Sequence, residues 1–68
     1  MAKDLKRSLT IAGHRTSLSL ETEFWDVLRK IASGERKSLA ILVGEIDNAR
    51  GDRNLSSAIR VWILKRLM

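Results

Sequence analysis

Polar and apolar residues alternate along two short segments near the N-terminus, which predicts two β-strand segments. In residues 7–12 the apolar side chains on one face belong to Leu9 and Ile11. In residues 15–20 they belong to Leu18 and Leu20, and the polar face of that strand holds Arg15, Ser17 and Ser19. The segment before them, residues 1–6, is expected to be a polar, basic arm.

The apolar positions are odd in the first segment and even in the second, so the register must change between them. Gly13 is the expected place, because glycine accepts a positive φ without a Cβ clash. A two-residue hairpin across Gly13-His14, with Gly13 first in a type II′ turn, puts all the apolar residues on one face and sets Leu9 opposite Leu18. This hairpin is favoured over a β-bulge at Gly13 and over an irregular N-terminal segment.

Three helices are expected after the strands, over residues 22–33, 38–49 and 55–67. The first has an apolar stripe formed by Phe24, Leu28, Ile31 and Ala32, with Trp25 at its edge. The second begins at Ser38, a strong N-cap residue, and follows the helical spacing with Leu39, Leu42, Val43 and Ile46. The third is apolar on more than one stripe, so we expect burial from two sides.

The length of 68 residues indicates one domain that would be marginally stable alone. Hydrophobic residues make up 44% of the chain, more than one small core can hide, and no cysteine is present to add a disulfide. The strand at residues 15–20 has no later strand to pair with, and a lone strand leaves its backbone groups unsatisfied. Both features predict a homodimer, in which a second copy supplies the pairing.

The net charge of +5 is the electrostatic signature of a nucleic-acid-binding domain. Lys3, Lys6 and Arg7 then form a basic arm that contacts phosphates or, alternatively, only keeps the protein soluble. The N-terminus has no apolar run long enough for a signal peptide or a membrane span, so a cytoplasmic protein without a membrane partner is expected.

Strand, helix, short turn and Ser-capped helix is the order found in the Arc/MetJ-like ribbon-helix-helix superfamily, which residues 15–50 resemble. The likeness to short prokaryotic ribbon-helix-helix domain proteins is closer and spans nearly the whole chain. The segments that carry it are Lys6-Arg7-Ser8, residues 13–21, Glu23-Phe24-Trp25, Ser38-Leu39, Glu45-Ile46-Asp47 and residues 54–58.

This resemblance implies a mainly α protein with a short N-terminal β element and, here, a third C-terminal helix. It implies an intertwined homodimer whose strands pair as an intermolecular antiparallel ribbon, and a DNA duplex as partner, with possible higher-order assembly on DNA. The ribbon enters the major groove, so the base-reading role falls on Arg15, Ser17 and Ser19.

The N-terminus of the second helix offers backbone N–H groups suited to a phosphate, so Arg36, Lys37 and Ser38 are expected phosphate contacts together with Lys6 and Arg7. The chain departs from the family at Arg36, where glycine is usual. Either this turn is distorted or Gly34 takes over that role. The predicted hairpin is a second departure. If each chain forms one, the dimer has a four-stranded sheet, which is wider than the two-stranded ribbon that enters the major groove.

An enzyme is not expected, because a lone His and scattered Ser residues form no nucleophile–base pair, and nothing indicates a cofactor or metal. The function predicted is a sequence-specific DNA-binding transcriptional regulator. The alternative is a dimeric interaction module, antitoxin-like or adaptor, with weak or no DNA binding. Antitoxins of this superfamily usually carry a disordered C-terminal segment that wraps around a toxin. The sequence here ends in an apolar helix, which favours the regulator.

Overall fold

The computed structural model describes residues 4–68 of the chain, in which a two-stranded antiparallel sheet precedes three helices. This confirms the predicted order of elements. The elements are β1 (Asp4–Ile11), β2 (His14–Glu21), α1 (Thr22–Gly34), α2 (Leu39–Ala49) and α3 (Leu55–Leu67).

The two strands form a hairpin, and its turn lies one residue earlier than predicted. Ile11 pairs with His14, so the central turn residues are Ala12 and Gly13, not Gly13 and His14. Both have a positive φ, 52° at Ala12 and 82° at Gly13, as a type I′ turn requires. Leu9 therefore faces Thr16 and not Leu18.

The faces of the hairpin agree with the prediction. Leu18, Leu20 and Ile11 are buried on one face, and Leu9 packs against the same core. The register change at Gly13 is confirmed, and the bulge and the irregular segment are excluded. β2 pairs with β1 within its own chain, as the favoured hairpin predicts, so its strand pairing does not by itself require a second copy.

The expected N-terminal arm over residues 1–6 is too long, because residues 4–6 belong to β1. Lys3, which was expected to be part of that arm, lies outside the described residues.

Trp25 is central to the core and not at the edge of the α1 stripe. Its side chain is fully buried, and its indole Nε1 donates a hydrogen bond to the Leu5 carbonyl oxygen at 2.8 Å. Leu20, just before the α1 N-cap, is equally buried, as expected for a hydrophobic contact across a helix start. The face of α1 that looks into the core is Trp25, Leu28 and Ala32, while Phe24 and Ile31 are half-buried.

The remaining core comes from α2 and α3. Leu42, Val43 and Ile46 of α2 pack with Ala58, Ile59 and Ile63 of α3. Ser38 and Asn54 cap the two helices through side-chain oxygens that accept from Ile41 N and Ser57 N. On α3, Leu64 and Leu67 remain exposed, so the single chain does not cover all of its apolar positions.

Candidate nucleic-acid interface

The face of the hairpin opposite the core is polar and open to solvent. Three cross-strand pairs occupy its centre, in which Thr10 lies opposite Arg15, Ser8 opposite Ser17 and Lys6 opposite Ser19. We call these six residues the outward face. All are exposed except Ser19, which is half-buried.

The two cations of the outward face have no acidic partner among its six residues. Lys6 and Arg15 form no ion pair within the part of the chain that the structure describes, and none of the six residues is an acid. Hydroxyl groups of Ser and Thr fill the space between the two cations. The face can therefore donate and accept hydrogen bonds while attracting an anion.

β2 also has a free backbone edge. In a hairpin closed by a two-residue turn, every second residue directs its N–H and C=O away from the partner strand. With Ile11 paired to His14, those residues on β2 are Arg15, Ser17 and Ser19. The Ser19 carbonyl accepts a hydrogen bond from Ser56 Oγ of α3 at 3.1 Å, so α3 covers only the far end of this edge.

An ion pair secures the same end of β2. Arg60 donates from Nε to Glu21 Oε1 at 3.0 Å, and its guanidinium carbon lies 5.8 Å from the centre of the Phe24 ring. A hydrogen bond from the Glu21 backbone lowers the pKa of the Glu21 carboxyl, and the hydrogen bond from Arg60 lowers it further. The negative charge of Glu21 is thus paired with Arg60.

The turn between α1 and α2 contains the expected phosphate contacts. Arg36 is exposed and has no ion pair among the described residues, whereas Lys37 Nζ lies 2.8 Å from Glu45 Oε1 and 3.3 Å from Glu35 Oε1. Ser38 Oγ accepts from Ile41 N at 3.1 Å. The charge of Arg36 is thus available to a ligand, while that of Lys37 is already neutralised.

Arg36 itself has the left-handed conformation, with a φ of 57°. Its N–H donates to the Ser33 carbonyl at 3.1 Å, and Lys37 N–H donates to the Ala32 carbonyl at 2.9 Å. Gly34 is the last residue of α1 and is not among the residues with positive φ, so it does not take over the role of the missing glycine. The turn keeps a regular geometry because Arg36 accepts the strained conformation.

Lys6 and Arg7, expected together, lie on opposite sides of the hairpin because successive strand residues alternate. Lys6 is on the outward face. Arg7 lies on the core side with its guanidinium carbon 5.5 Å from the centre of the Trp25 ring. Its Nε is buried and has no hydrogen-bond partner within residues 4–68.

The structure gathers some of the expected site residues and separates others. Arg15, Ser17 and Ser19 share the outward face with Lys6, but no hydrogen bond or ion pair among the described residues joins them to Arg36, Lys37 or Ser38. Ser8 and Thr10 were not assigned a role from sequence. The alternation along β1 is the signal that could have included them.

No group of three or more metal-binding side chains occurs among residues 4–68. None of the helices in that range is both long and apolar enough to cross a membrane.

Comparison with known proteins shows the family of the chain. Residues 5–67 match the family model described as a ribbon-helix-helix domain. Neither the curated proteins nor the solved structures give a significant match. The match covers both strands and all three helices except for the first residue of β1.

Proposed function

Because the chain belongs to the ribbon-helix-helix domain family, we propose that it is a sequence-specific DNA-binding protein that regulates transcription. The observation that supports this most is the outward face, whose six residues combine two cations that form no ion pair among the described residues with four hydroxyl groups. The major groove of B-DNA is roughly 12 Å wide and admits a two-stranded ribbon.

The proposed base-reading residues are Arg15, Ser17 and Ser19 of β2. A guanidinium can donate two hydrogen bonds to guanine O6 and N7, and a serine hydroxyl can donate to or accept from any base edge. Arg15 lies next to the turn residues and is exposed, so its long side chain is accessible to a groove.

We further propose that the protein is an intertwined homodimer joined through the free edges of its two β2 strands. The resulting sheet has four strands, and its outer axes lie roughly 15 Å apart, which is too wide to enter the groove as a whole. The two central β2 strands would enter, while the two β1 strands follow the rims. Lys6 then lies near the phosphates, with Ser8 and Thr10 beside it.

The start of α2 is the second proposed phosphate contact. Its first N–H groups and the positive end of the helix dipole suit an anion, and the free charge of Arg36 adds to them. Lys37 contributes less in this proposal because a phosphate would have to displace Glu45 and Glu35. Arg7 is left out because its guanidinium lies against Trp25.

The test compares Arg15→Ala with Lys30→Ala, a matched removal of one exposed cation from α1. Binding is measured over a range of salt concentrations on a random duplex and on the tightest duplex selected from a random library. Arg15→Ala should cost roughly 1–3 kcal/mol on the selected duplex and much less on the random one. Lys30→Ala should change the two affinities little and equally.

Two results would contradict the proposal. If Arg15→Ala lost the same affinity on both duplexes, Arg15 would be a phosphate contact, and the hairpin would not recognise bases. Failure of the unaltered protein to bind any duplex at low salt would replace the proposal with the interaction-module function.

A further inference from the structure

A basic groove runs between the C-terminal part of α2 and the middle of α3. Its volume is about 220 Å³, and the residues that line it are Ile46, Ala49, Arg50, Arg53, Ala58, Val61, Trp62 and Lys65. We call it the α2–α3 groove. Its floor is apolar, three cations surround it, and none of these lining residues is an acid.

Two of the three cations have no internal partner. Arg50 is held by Asp47, with Nε 2.6 Å from Oδ1, and it also donates to the Arg53 carbonyl. Arg53 and Lys65 are exposed and form no ion pair among the described residues. Charge complementarity therefore calls for carboxylates on whatever occupies the groove.

The indole of Trp62 forms part of the apolar floor. It is half-buried, and the guanidinium carbon of Arg66 lies 4.8 Å from its ring centre. Arg66 is itself tied to Glu35 by an ion pair, which holds the indole from one side. A partly exposed tryptophan fixed in this way is the kind of surface on which a protein partner places an apolar anchor.

The groove is separate from the proposed DNA-binding and dimer surfaces. Ser56 and Arg60, which contact Ser19 and Glu21, lie on the other side of α3 from Val61 and Lys65. The β2 edge proposed for dimerisation therefore contains none of the residues that line the groove. None of its lining residues belongs to the outward face or to the start of α2.

We propose that the α2–α3 groove binds a short acidic segment of a second protein. One aromatic or leucine side chain of that segment would fill the apolar floor, and carboxylates on either side of it would pair with Arg53 and Lys65. The groove is smaller than the roughly 300–1,000 Å³ of sites for drug-sized ligands, which favours a single side-chain anchor over a whole small molecule. This proposal does not depend on DNA binding.

The experiment titrates the full chain with a synthetic peptide in which Asp and Glu surround one Phe. Changes in backbone amide chemical shifts should concentrate at residues 46–65 and leave residues 14–20 unchanged. The same peptide with Asn and Gln in place of the acids should bind about tenfold more weakly or worse, because it lacks the charge pairing.

Lys65→Glu and Lys30→Glu form the matched pair of variants, since both reverse one exposed helical lysine. Lys65→Glu should weaken peptide binding by about tenfold, and Lys30→Glu by less than about twofold. If the two variants lost the same peptide affinity, binding would depend only on the overall charge of the protein, and the proposal would be wrong. Shifts at the groove caused by a DNA duplex, or by raising the concentration of protein alone, would also overturn it, because the occupant would then be phosphate or a second copy.

Discussion

Among residues 4–68, two residues other than glycine adopt left-handed backbone conformations, and both lie in turns that position the proposed interface. Ala12 has a φ of 52° in the hairpin turn, and Arg36 a φ of 57° before α2. This conformation costs a residue with a Cβ roughly 1–2 kcal/mol. Strain at an exposed cation suggests that the charge of Arg36 has a function, because glycine would fit the same backbone without strain.

Replacing Arg36 with Gly should separate the two contributions of this residue. We expect the free energy of unfolding to rise by about 1 kcal/mol because the strain is relieved. Binding to all duplexes should weaken alike, and the salt slope should fall by about one for each phosphate that the variant no longer neutralises. Urea unfolding and salt titrations on a random duplex measure the two effects.

Arg36→Ala is the control, because it removes the charge and keeps the strained backbone with its Cβ. It should weaken DNA binding as much as Arg36→Gly but give no comparable gain in stability. If both variants bind DNA as tightly as the unaltered protein, Arg36 is not a phosphate contact.

Burial of individual side chains was only partly predictable from the sequence. The i, i+3, i+7 set of Phe24, Val27 and Ile31 is as apolar as the set of Trp25, Leu28 and Ala32. Tertiary contacts decide between them, since β1 extends far enough for the Leu5 carbonyl to accept the indole hydrogen bond of Trp25. β1 begins at Asp4, within the residues whose polar composition predicted an arm, so the sequence pattern did not indicate this contact.

At the scale of elements, the hairpin shows what an alternating pattern can and cannot specify. The apolar residues have odd numbers in β1 and even numbers in β2. A two-residue turn at Gly13-His14 or at Ala12-Gly13 places Leu9 and Ile11 on the same face as Leu18 and Leu20. Moving the turn by one residue shifts each pairing by two positions, which leaves every side chain on its face. The position of the turn depends instead on whether alanine tolerates a positive φ, and the pattern holds no information about that.

The free edge of β2 can be tested with proline, which removes a backbone donor. The N–H of Ser17 points away from β1, so Ser17→Pro leaves the hairpin hydrogen bonds intact. If two β2 strands pair in the dimer, this variant removes one intermolecular hydrogen bond from each copy. The dissociation constant of the dimer should rise roughly ten- to a hundredfold.

Ser8→Pro is the matched control, because Ser8 lies directly opposite Ser17 and points its N–H to the free edge of β1. Sedimentation equilibrium without DNA should show the control as dimeric as the unaltered protein. A concentration-dependent unfolding midpoint should accompany dimerisation. If the two variants dissociate equally, or if the unaltered protein is a monomer, the proposed β2 pairing is wrong.

At the scale of the whole molecule, the cations are divided among surfaces with different surroundings. On the outward face and at Arg36 they stand beside hydroxyl and backbone donors, which suits bases and phosphates. In the α2–α3 groove they surround an apolar floor, which suits an acidic peptide. The sequence shows the net charge of +5 but not this division, because it depends on how α2 and α3 pack.

The most direct test of the central claim, that the outward face reads bases through Arg15, is a double exchange of protein and DNA groups. Each guanine of the selected duplex is replaced in turn with 7-deazaguanine, which lacks the N7 acceptor, and both the unaltered protein and Arg15→Ala are titrated on each duplex. At one guanine in each half-site we predict a loss of roughly 1–3 kcal/mol for the unaltered protein and almost none for Arg15→Ala, because the variant cannot form that hydrogen bond. Equal losses for the two proteins at every guanine would contradict the account.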